Sequence, residues 1–324
     1  MQDDIKKTVV ITGGTGFIGS ALAKALIVRG YSVRIFTRRM PARRLENAQY
    51  AVVSFDDKES LRNAAEGADF IVHMAARLFS RTEEGFERAN ITGTSNLVKA
   101  AGSLSKHPVK FIYISSLAAG GPSPSAAAPR TEAMADAPVS KYGSTKLGGE
   151  KKVRELPATI RYTVLRPPIV YGKNEFAVSK IAEWVRKGFM VNSGSNEGAF
   201  SFIYVDDLTA AIITSMEEPA TDGQTYYVCE NRTYPWRVFI GLLAEAMKVK
   251  LPRMLNLPKS FLYALGLVYE GVSWLGGAEP VFNRDKAREG AAGNWIASPT
   301  KWERDTGWKS WTGLEEGIRK TFLE

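Results

Sequence analysis

Short apolar runs alternate with helical patterns over the first 170 residues of the chain. The apolar runs predict strands at 8–13, 32–37, 50–55, 69–75, 109–115 and 162–167, and helical patterns lie between them at 17–29, 58–66, 83–103 and 140–155. Strands that alternate with helices of this length are joined by right-handed crossovers, so the pattern predicts an α/β, doubly wound parallel sheet. Such a sheet binds its ligand at the carboxyl ends of the strands, where the strand order reverses.

The alternation becomes irregular after residue 171. Helical patterns follow at 176–188, 206–217, 235–248 and 259–276, with strands at 201–205 and 224–229. We expect a first domain at 1–170, to which 200–229 returns, and a smaller interlocked lobe at 171–199 and 230–324 that holds the substrate. The stretch 118–130, AAGGPSPSAAAPR, predicts a loop because it is rich in Pro, Ser, Gly and Ala.

The composition is that of an ordinary soluble globular protein, with 44% hydrophobic and 24% charged residues among 324. A single cysteine excludes an internal disulfide framework, and two histidines leave little for a metal cluster, so we expect no metal and a cytoplasmic location. The N-terminus lacks the basic-then-apolar layout of a signal peptide. The apolar run 261–275 contains Glu270 and two glycines and is shorter than the roughly 20 residues of a membrane span. This run predicts a buried or groove-lining helix.

The net charge of +9 raises the question of a nucleic-acid partner. No basic helix and no aromatic-basic repeat stands out, which favours a solvated basic surface and no nucleic acid.

One basic cluster differs from the rest. The second predicted strand ends in IFTRRMPARR, with Thr37 where an acidic residue would hold the ribose of NAD. Guanidinium groups pair with phosphate, so Arg38 and Arg43 favour the 2′-phosphate of NADP, with NAD as the alternative.

A glycine-rich turn joins the first predicted strand to the first predicted helix. The segment TGGTGFIGS places Gly13, Gly16 and Gly19 three residues apart. Glycines at this position allow a tight turn and let a pyrophosphate approach the helix N-terminus. The motif therefore predicts a dinucleotide site; a purely structural glycine turn is the alternative.

The segment SKYGSTK sets Tyr142 one helical turn before Lys146. A nearby cation favours the ionised form of a phenol, so the pair predicts a tyrosine whose pKa is lowered toward neutrality. A chance pairing is the alternative, since a chain with 12 tyrosines yields about one such pair.

Several segments together resemble the extended short-chain dehydrogenase/reductase family, which includes the NAD-dependent epimerase/dehydratase enzymes. The matching landmarks are TGGTGFIG, VVSFDDKESL, HMAA, NITGTSNLVKAA, FIYISSLAAGG, SKYGSTKLGGE, LRPPIVYG and FIYVDDLTAAI. The resemblance covers nearly the whole chain and implies a Rossmann-type cofactor domain. It is closest in pattern to members similar to 3β-hydroxysteroid dehydrogenase and dihydroflavonol reductase.

The resemblance implies roles for residues at matching positions. Tyr142 would be the catalytic acid/base, Lys146 would bind the nicotinamide ribose, and Ser116 would hydrogen-bond the reacting oxygen. Ser115 is the less favoured serine because it should face the same side of its strand as Tyr113. The expected cofactor-binding residues are Gly13, Thr15, Gly16, Phe17, Ile18, Gly19, Arg38, Arg43, Asp56, Asp57, Ala75, Ala76, Tyr142, Lys146, Pro167 and Ile169.

Two departures from the family pattern narrow the substrate. Leu117 and Ala118 stand where sugar-nucleotide dehydratases carry an acidic pair, and Ile169 stands where epimerases carry an asparagine for the substrate diphosphate. We therefore expect hydride transfer between a nicotinamide cofactor and a hydroxyl or keto group of a small apolar molecule. A nucleotide-sugar epimerase with tightly bound NAD and a non-catalytic dinucleotide sensor are the alternatives. Arg284, Lys286 and Arg288 could serve a sugar diphosphate, and a homodimer through 83–103 and 140–155 is implied by the resemblance alone.

Overall fold

The computed structural model of the chain describes residues 6–80, 82–106, 108–193, 198–258, 264 and 284–323. Its strands are β1 (Thr8–Thr12), β2 (Ser32–Thr37), β3 (Ala48–Val52), β4 (Phe70–His73), β5 (Lys110–Ile114), β6 (Arg161–Arg166), β7 (Ile169–Tyr171), β8 (Phe189–Ser193), β9 (Ala199–Tyr204), β10 (Gln224–Tyr227), β11 (Thr233–Pro235) and β12 (Arg253–Leu257). Seven of them form one parallel sheet in the order β3-β2-β1-β4-β5-β6-β10. The predicted doubly wound parallel sheet is confirmed, and its order reverses between β1 and β4.

The described helices are α1 (Phe17–Val28), α2 (Lys58–Ala65), α3 (Glu83–Glu87), α4 (Gly93–Gly102), α5 (Leu117–Gly120), α6 (Lys141–Val153), α7 (Phe176–Arg186), α8 (Val205–Glu217), α9 (Trp236–Ala246), α10 (Arg284–Ala291), α11 (Thr300–Thr306) and α12 (Leu314–Phe322). A π-helical turn at Arg88–Thr92 joins α3 to α4, so the predicted helix at 83–103 contains an irregular turn. The predicted helix at 259–276 lies, apart from Ala264, outside the described residues.

The third strand begins and ends earlier than predicted, at 48–52 instead of 50–55. Its last ladder pair joins Thr37 to Val52. The chain then turns, with the Asp57 amide donating to the Ser54 carbonyl at 3.1 Å, and Asp57 begins α2 as its cap. The apolar pattern continues beyond the strand because Val53 is buried just past the last ladder pair, where its amide still donates to the Thr37 carbonyl at 2.9 Å.

Both faces of the large sheet are covered by helices. On β1, Val9 and Ile11 pack on one face with α1 and α8, while Val10 packs on the other face with α2 and α4. Successive side chains of a strand point to opposite faces, and a parallel sheet covered on both sides needs apolar residues at every position. This requirement explains why the strands read as continuous apolar runs.

A smaller set of elements packs around its own core. Strand β9 pairs with β7 in parallel and with β11 in antiparallel orientation, while β8 pairs with β12. Phe202, Phe239 and Leu243 belong to this core. Strand pairing thus puts β10 in the large sheet and β9 in the small one, and the domain boundaries expected from the sequence remain a proposal.

The Pro- and Ser-rich stretch between α5 and α6 is hydrogen-bonded to a distant part of the chain. The Arg130 amide donates to the Ile296 carbonyl at 3.0 Å, and the Ser298 amide donates to the Arg130 carbonyl at 2.9 Å. The residue before Ile296 contacts the small sheet, because the Ser201 amide of β9 donates to the Trp295 carbonyl at 2.9 Å. Residues 295–298 therefore connect this loop to the small sheet beside the carboxyl end of β5.

Candidate active site

The loop between β1 and α1 adopts a geometry that only glycine allows. Gly13 has a φ of +73°, and a Cβ there would lie 2.9 Å from the Ala75 amide nitrogen. A Cβ on Gly19 would overlap the Gly13 carbonyl. The Gly16 amide donates to that carbonyl at 3.0 Å, and Gly16 precedes the first turn of α1. Thr15 and Gly16 are exposed and lie at the N-terminus of α1, a position that fits the pyrophosphate of a dinucleotide.

Phe17 and Ile18 form the first turn of α1, where both are half-buried. Phe17 packs on the core of the small lobe, and Ile18 packs on one face of the large sheet. The glycine loop thus lies where the two cores meet.

A buried histidine connects the glycine loop to the helix after β4. His73 Nδ1 lies 2.6 Å from Thr12 Oγ1, and Nε2 lies 2.9 Å from Thr94 Oγ1. Thr94 donates its own proton to the Asn90 carbonyl, so the Thr94 oxygen must accept from Nε2–H, and Nδ1 must accept from Thr12. Burial lowers the His73 pKa to about 3, with a smaller contribution from Lys146, which keeps the ring neutral.

Ala75 and Ala76 follow β4 beside the glycine loop. The Ala75 amide donates to Thr12 Oγ1 at 3.1 Å, and Ala76 is exposed. On the other side of β5, the Pro167 carbonyl accepts from the Leu117 amide at 2.9 Å, and Ile169 is the first residue of β7. The structure therefore brings these expected cofactor-lining residues to the carboxyl edge of the large sheet.

The basic residues after β2 are exposed. Arg38 and Arg43 lie in the irregular segment that follows Thr37, whose hydroxyl donates to the Arg39 carbonyl at 2.6 Å. No acidic partner of Arg38 or Arg43 is found among the described residues. Their side chains are therefore available to an external anion at the end of β2.

The two aspartates expected near the adenine have different contacts. Asp57 caps α2 by accepting from the Glu59 and Ser60 amides at 3.1 and 3.0 Å. Asp56 is exposed and forms an ion pair with Arg88 at 2.5 Å, and this hydrogen bond lowers the pKa of Asp56. Asp57 therefore hydrogen-bonds to the N-terminus of α2, whereas Asp56 pairs with Arg88 at the surface.

Ser116, Tyr142 and Lys146 converge at the carboxyl end of β5. Ser116 begins α5, where its hydroxyl accepts from the Ala118 amide at 3.1 Å. Helix α6 carries Tyr142 and Lys146 on one face. It packs closely against α5 at Gly143, where a Cβ would overlap the Ala118 carbonyl, so glycine allows this approach. The i,i+4 spacing puts Tyr142 and Lys146 on the same face of α6. The contact between Gly143 and Ala118 then brings this part of α6 close to Ser116.

Lys146 is directed into the protein. Its Nζ donates to the Ile114 carbonyl at 2.6 Å and lies 4.2 Å from the centroid of the Tyr113 ring. The side chain is 1% exposed, and burial lowers the Lys146 pKa to about 7 against an opposing effect of Glu150. A lysine with this pKa gains its charge readily when an anionic or hydroxyl-rich ligand arrives.

The pKa of Tyr142 is raised, which corrects the expectation of a lowered value. Burial is the largest cause, and the Glu289 carboxylate adds to it, whereas a hydrogen bond with Ser116 acts in the opposite direction. Lys146 does not contribute because its ammonium points at β5 and the Tyr113 ring. Tyr142 therefore holds its proton at neutral pH.

A buried ionic network behind the lysine was not predicted from the sequence. Glu150 is fully buried and accepts from Arg166 at 2.8 and 2.7 Å and from Ser115 at 2.6 Å. Arg166 also donates to both carboxylate oxygens of Asp136 at 2.7 and 2.9 Å. Ser115 is thus held by Glu150, which leaves Ser116 as the serine beside Tyr142.

Helix α10 also contributes to the site and was missed in this role. Asp285 accepts from the Lys141 and Tyr142 amides at 2.7 and 3.2 Å and so caps α6. Lys286 lies 5.2 Å from the centroid of the Tyr142 ring. No spacing rule links residues more than 140 positions apart, so the sequence carried no local signal for this contact.

The part of the chain that the structure describes contains neither a membrane-spanning helix nor a metal-binding cluster. No helix there is long and apolar enough to cross a membrane. No group of three or more His, Cys, Asp or Glu side chains there could hold a metal ion.

The comparison with protein families matches residues 9–229 to the model described as the NAD dependent epimerase/dehydratase family. The matched segment includes the glycine loop, Ser116, Tyr142 and Lys146. It ends before α10, so the contacts that this helix makes with α6 lie outside the matched region.

Two curated relatives and one solved structure are similar over nearly the full length. The ceramide reductase of Caulobacter vibrioides is 28% identical over 325 residues, covering 99% of this chain and 95% of the relative. The 2-alkyl-3-oxoalkanoate reductase of Stenotrophomonas maltophilia is 24% identical, covering 96% and 97%. The UDP-glucose 4-epimerase of Thermus thermophilus, in complex with NAD, has a TM-score of 0.77 at 22% identity and covers 98% of both chains. This last likeness concerns the fold alone.

Proposed function

The chain belongs to the NAD-dependent epimerase/dehydratase family and is an NAD(P)-dependent enzyme of the short-chain dehydrogenase/reductase type. We propose that it reduces a ketone of an apolar substrate with NADPH. The observation that carries the proposal is the protonated, buried Tyr142 beside Ser116 at the carboxyl end of β5. Both full-length relatives bear the names of reductases of lipid-like compounds.

The glycine loop would hold the pyrophosphate of the dinucleotide, with Gly16 at the N-terminus of α1. The exposed Arg38 and Arg43 support a 2′-phosphate at the end of β2, and hence NADPH over NADH. The dinucleotide supplies a hydride to the carbonyl carbon of the substrate when it is bound. The residues of this chain supply the proton and the orientation.

The carbonyl oxygen of the substrate would accept hydrogen bonds from the hydroxyls of Tyr142 and Ser116. Charge develops on this oxygen as the hydride arrives, and two aligned donors stabilise it. Tyr142 then transfers its proton to the oxygen, which completes the alcohol, and the tyrosine regains a proton from solvent. The raised pKa keeps Tyr142 protonated at neutral pH, so the hydroxyl carries the proton that reduction consumes.

The surroundings of Tyr142 support an apolar substrate. Phe86, Ala118 and Trp295 form an apolar cluster with the tyrosine ring. Ile169, at the start of β7, offers no hydrogen bond to a diphosphate. Ligand sites are mostly apolar with a few placed polar groups, and this composition matches a keto compound with alkyl or ring substituents.

A screen of NADPH oxidation tests the proposal. Purified protein is given long-chain ketones, β-keto esters and β-keto amides in one set, and UDP-glucose and UDP-galactose in the other. We expect NADPH consumption with members of the first set and none in the Tyr142→Phe variant. Conversion of a UDP-sugar by protein that retains NAD, with no response to any ketone, would replace the proposal with the epimerase alternative.

A further inference from the structure

The outer face of α7 carries aromatic side chains where polar residues are expected. Phe176, Lys180 and Trp184 follow one another at four-residue spacing, which puts them on one face of the helix. Phe176 and Trp184 are 54% and 43% exposed. The opposite face packs into the small core through Val178 and Val185. The helix therefore exposes a second apolar surface in addition to the one that the core needs.

This surface continues onto the two-stranded sheet of β8 and β12. The centroids of the Trp184 and Phe189 rings lie 5.2 Å apart, and Phe189 begins β8. Met190 and Met254 pair with each other in the ladder and pack on the small core. Successive side chains of a strand point to opposite faces, so Phe189 and Leu255 lie on the outer face of this sheet. Leu255 is 48% exposed there.

Leu251 extends the same surface at the start of β12. It is 68% exposed and stands two residues before Arg253, whose amide donates to the Gly188 carbonyl at 2.9 Å. Single exposed apolar residues are ordinary, but a contiguous group with a polar rim marks an interaction site. We call this group the apolar patch, and its members are Phe176, Trp184, Phe189, Leu251 and Leu255.

Basic side chains surround the apolar patch. The segments 175–189 and 245–257 together carry six Lys and Arg residues against three Glu residues. Glu183 forms an ion pair with Lys180 at 3.0 Å, so the surplus of positive charge belongs to the other cations. These are exposed and comprise Arg186, Lys187, Lys248, Lys250 and Arg253.

We propose that the apolar patch binds the surface of a membrane that contains anionic lipids. Aromatic and leucine side chains with lysine and arginine around them are typical of surfaces that lie in the boundary between lipid headgroups and acyl chains. The long basic side chains would reach the lipid phosphates, and each cation near an anionic bilayer adds attraction. The proposal concerns the surface of the small lobe and does not rest on the ketone reduction proposed above.

The positive charge around the apolar patch disfavours a second copy of the chain as its occupant. A two-fold contact brings the same surface of both copies together, so the cations of one patch would face those of the other. An anionic lipid surface supplies the opposite charge. The competing explanation is that the aromatic contacts only pack the surface locally, in which case the net charge of +9 alone would drive adsorption to anionic vesicles.

Vesicle flotation of the full chain tests the proposal. Vesicles of phosphatidylcholine alone are compared with vesicles of equal parts phosphatidylcholine and phosphatidylglycerol, at low and at high salt. We expect binding to the anionic vesicles, much weaker binding to the neutral ones, and only partial loss at high salt, because salt screens charges and leaves the apolar contribution in place. No binding to the anionic vesicles at low salt would overturn the proposal.

Replacing the aromatic pair separates the apolar patch from net charge. The double variant Trp184→Ala, Phe189→Ala should lower partitioning into anionic vesicles by at least about tenfold, because it removes two rings from the lipid boundary without changing the charge. Trp311→Ala is the matched control, since Trp311 is an exposed tryptophan outside the patch. Equal partitioning of the folded double variant and the control would show adsorption by net charge and overturn the proposal.

Charge reversal gives a second, independent comparison. Lys187→Glu combined with Arg253→Glu should weaken partitioning far more than Lys24→Glu combined with Lys151→Glu, which changes the net charge equally at exposed positions outside the patch. Equal weakening by the two pairs would contradict a localised membrane surface.

Tryptophan quenching keeps the test decisive even if the double variant does not fold. Phosphatidylcholine brominated in its acyl chains, included in the anionic vesicles, should quench part of the wild-type fluorescence. Trp184→Phe keeps a ring at this position and should bind while losing most of that quenching. Quenching that is unchanged in Trp184→Phe would overturn the proposal. A wild-type dimer that Trp184→Ala converts to a monomer, with no vesicle binding, would make the patch a contact between copies and would overturn it as well.

Discussion

Replacing Lys146 with methionine should stabilise the protein at low pH while destroying its chemistry. The ammonium is buried, and its pKa falls from 10.5 to about 7 on folding. At about 1.4 kcal/mol for each pKa unit, burial of the charged form costs roughly 5 kcal/mol at pH values below both pKa values. The hydrogen bond to the Ile114 carbonyl is also lost, at a cost of about 1 kcal/mol. The net gain expected at about pH 6 is therefore ~4 kcal/mol.

The sign of the pH dependence follows from proton binding. Between the two pKa values the unfolded chain keeps the Lys146 proton and the folded protein releases it, so the wild-type free energy of unfolding rises with pH. The variant lacks this rise. Its advantage should therefore shrink to about zero near pH 10.

Denaturant unfolding at several pH values, without cofactor, measures this difference. Lys151→Met is the matched control, since Lys151 is an exposed lysine on the same helix and its replacement should leave the pH dependence unchanged. A constant difference between wild type and Lys146→Met across the pH range, or a variant less stable than wild type at low pH, would refute the reasoning.

Three further changes test other parts of the structure. Gly19→Ala should reduce NADPH affinity by at least about 100-fold in a fluorescence titration, because its Cβ would overlap the Gly13 carbonyl; affinity near that of wild type would contradict the loop geometry. Arg38→Ala should weaken NADPH binding by about tenfold and leave NADH binding nearly unchanged, and equal effects on the two cofactors would argue against a 2′-phosphate site. Glu150→Gln should destabilise the protein by about 3 kcal/mol in denaturant unfolding, because it leaves part of the Arg166 charge buried without a partner. The exposed Glu155→Gln is its control and should change stability by less than about 1 kcal/mol.

The large sheet could be predicted from the sequence because its central strands β1, β4 and β5 are buried on both faces. Val9, Val10 and Ile11 are all apolar for this reason, and the glycine loop follows them directly. Local rules therefore suffice for β1, the loop and α1. The predicted end of β3 is too late because Val53 is buried past the last ladder pair of the strand, and an apolar pattern alone does not mark where the ladder ends.

The parts of the site that depend on distant contacts could not be predicted. The spacing of Tyr142 and Lys146 indicated that they share a helix face, but the direction of the lysine depends on the Ile114 carbonyl and the Tyr113 ring. The raised pKa of Tyr142 depends on burial and on Glu289, which reaches it from α10. Sequence spacing gives no information on such a contact.

The exchange of Tyr142 for phenylalanine tests the central claim most directly. The variant removes one hydroxyl from the site and leaves the glycine loop and Lys146 in place. We expect kcat for ketone reduction to fall by at least about 100-fold, while the Kd for NADPH changes by no more than about twofold. Turnover by Tyr142→Phe near the wild-type rate would contradict the assignment of this tyrosine as the proton donor.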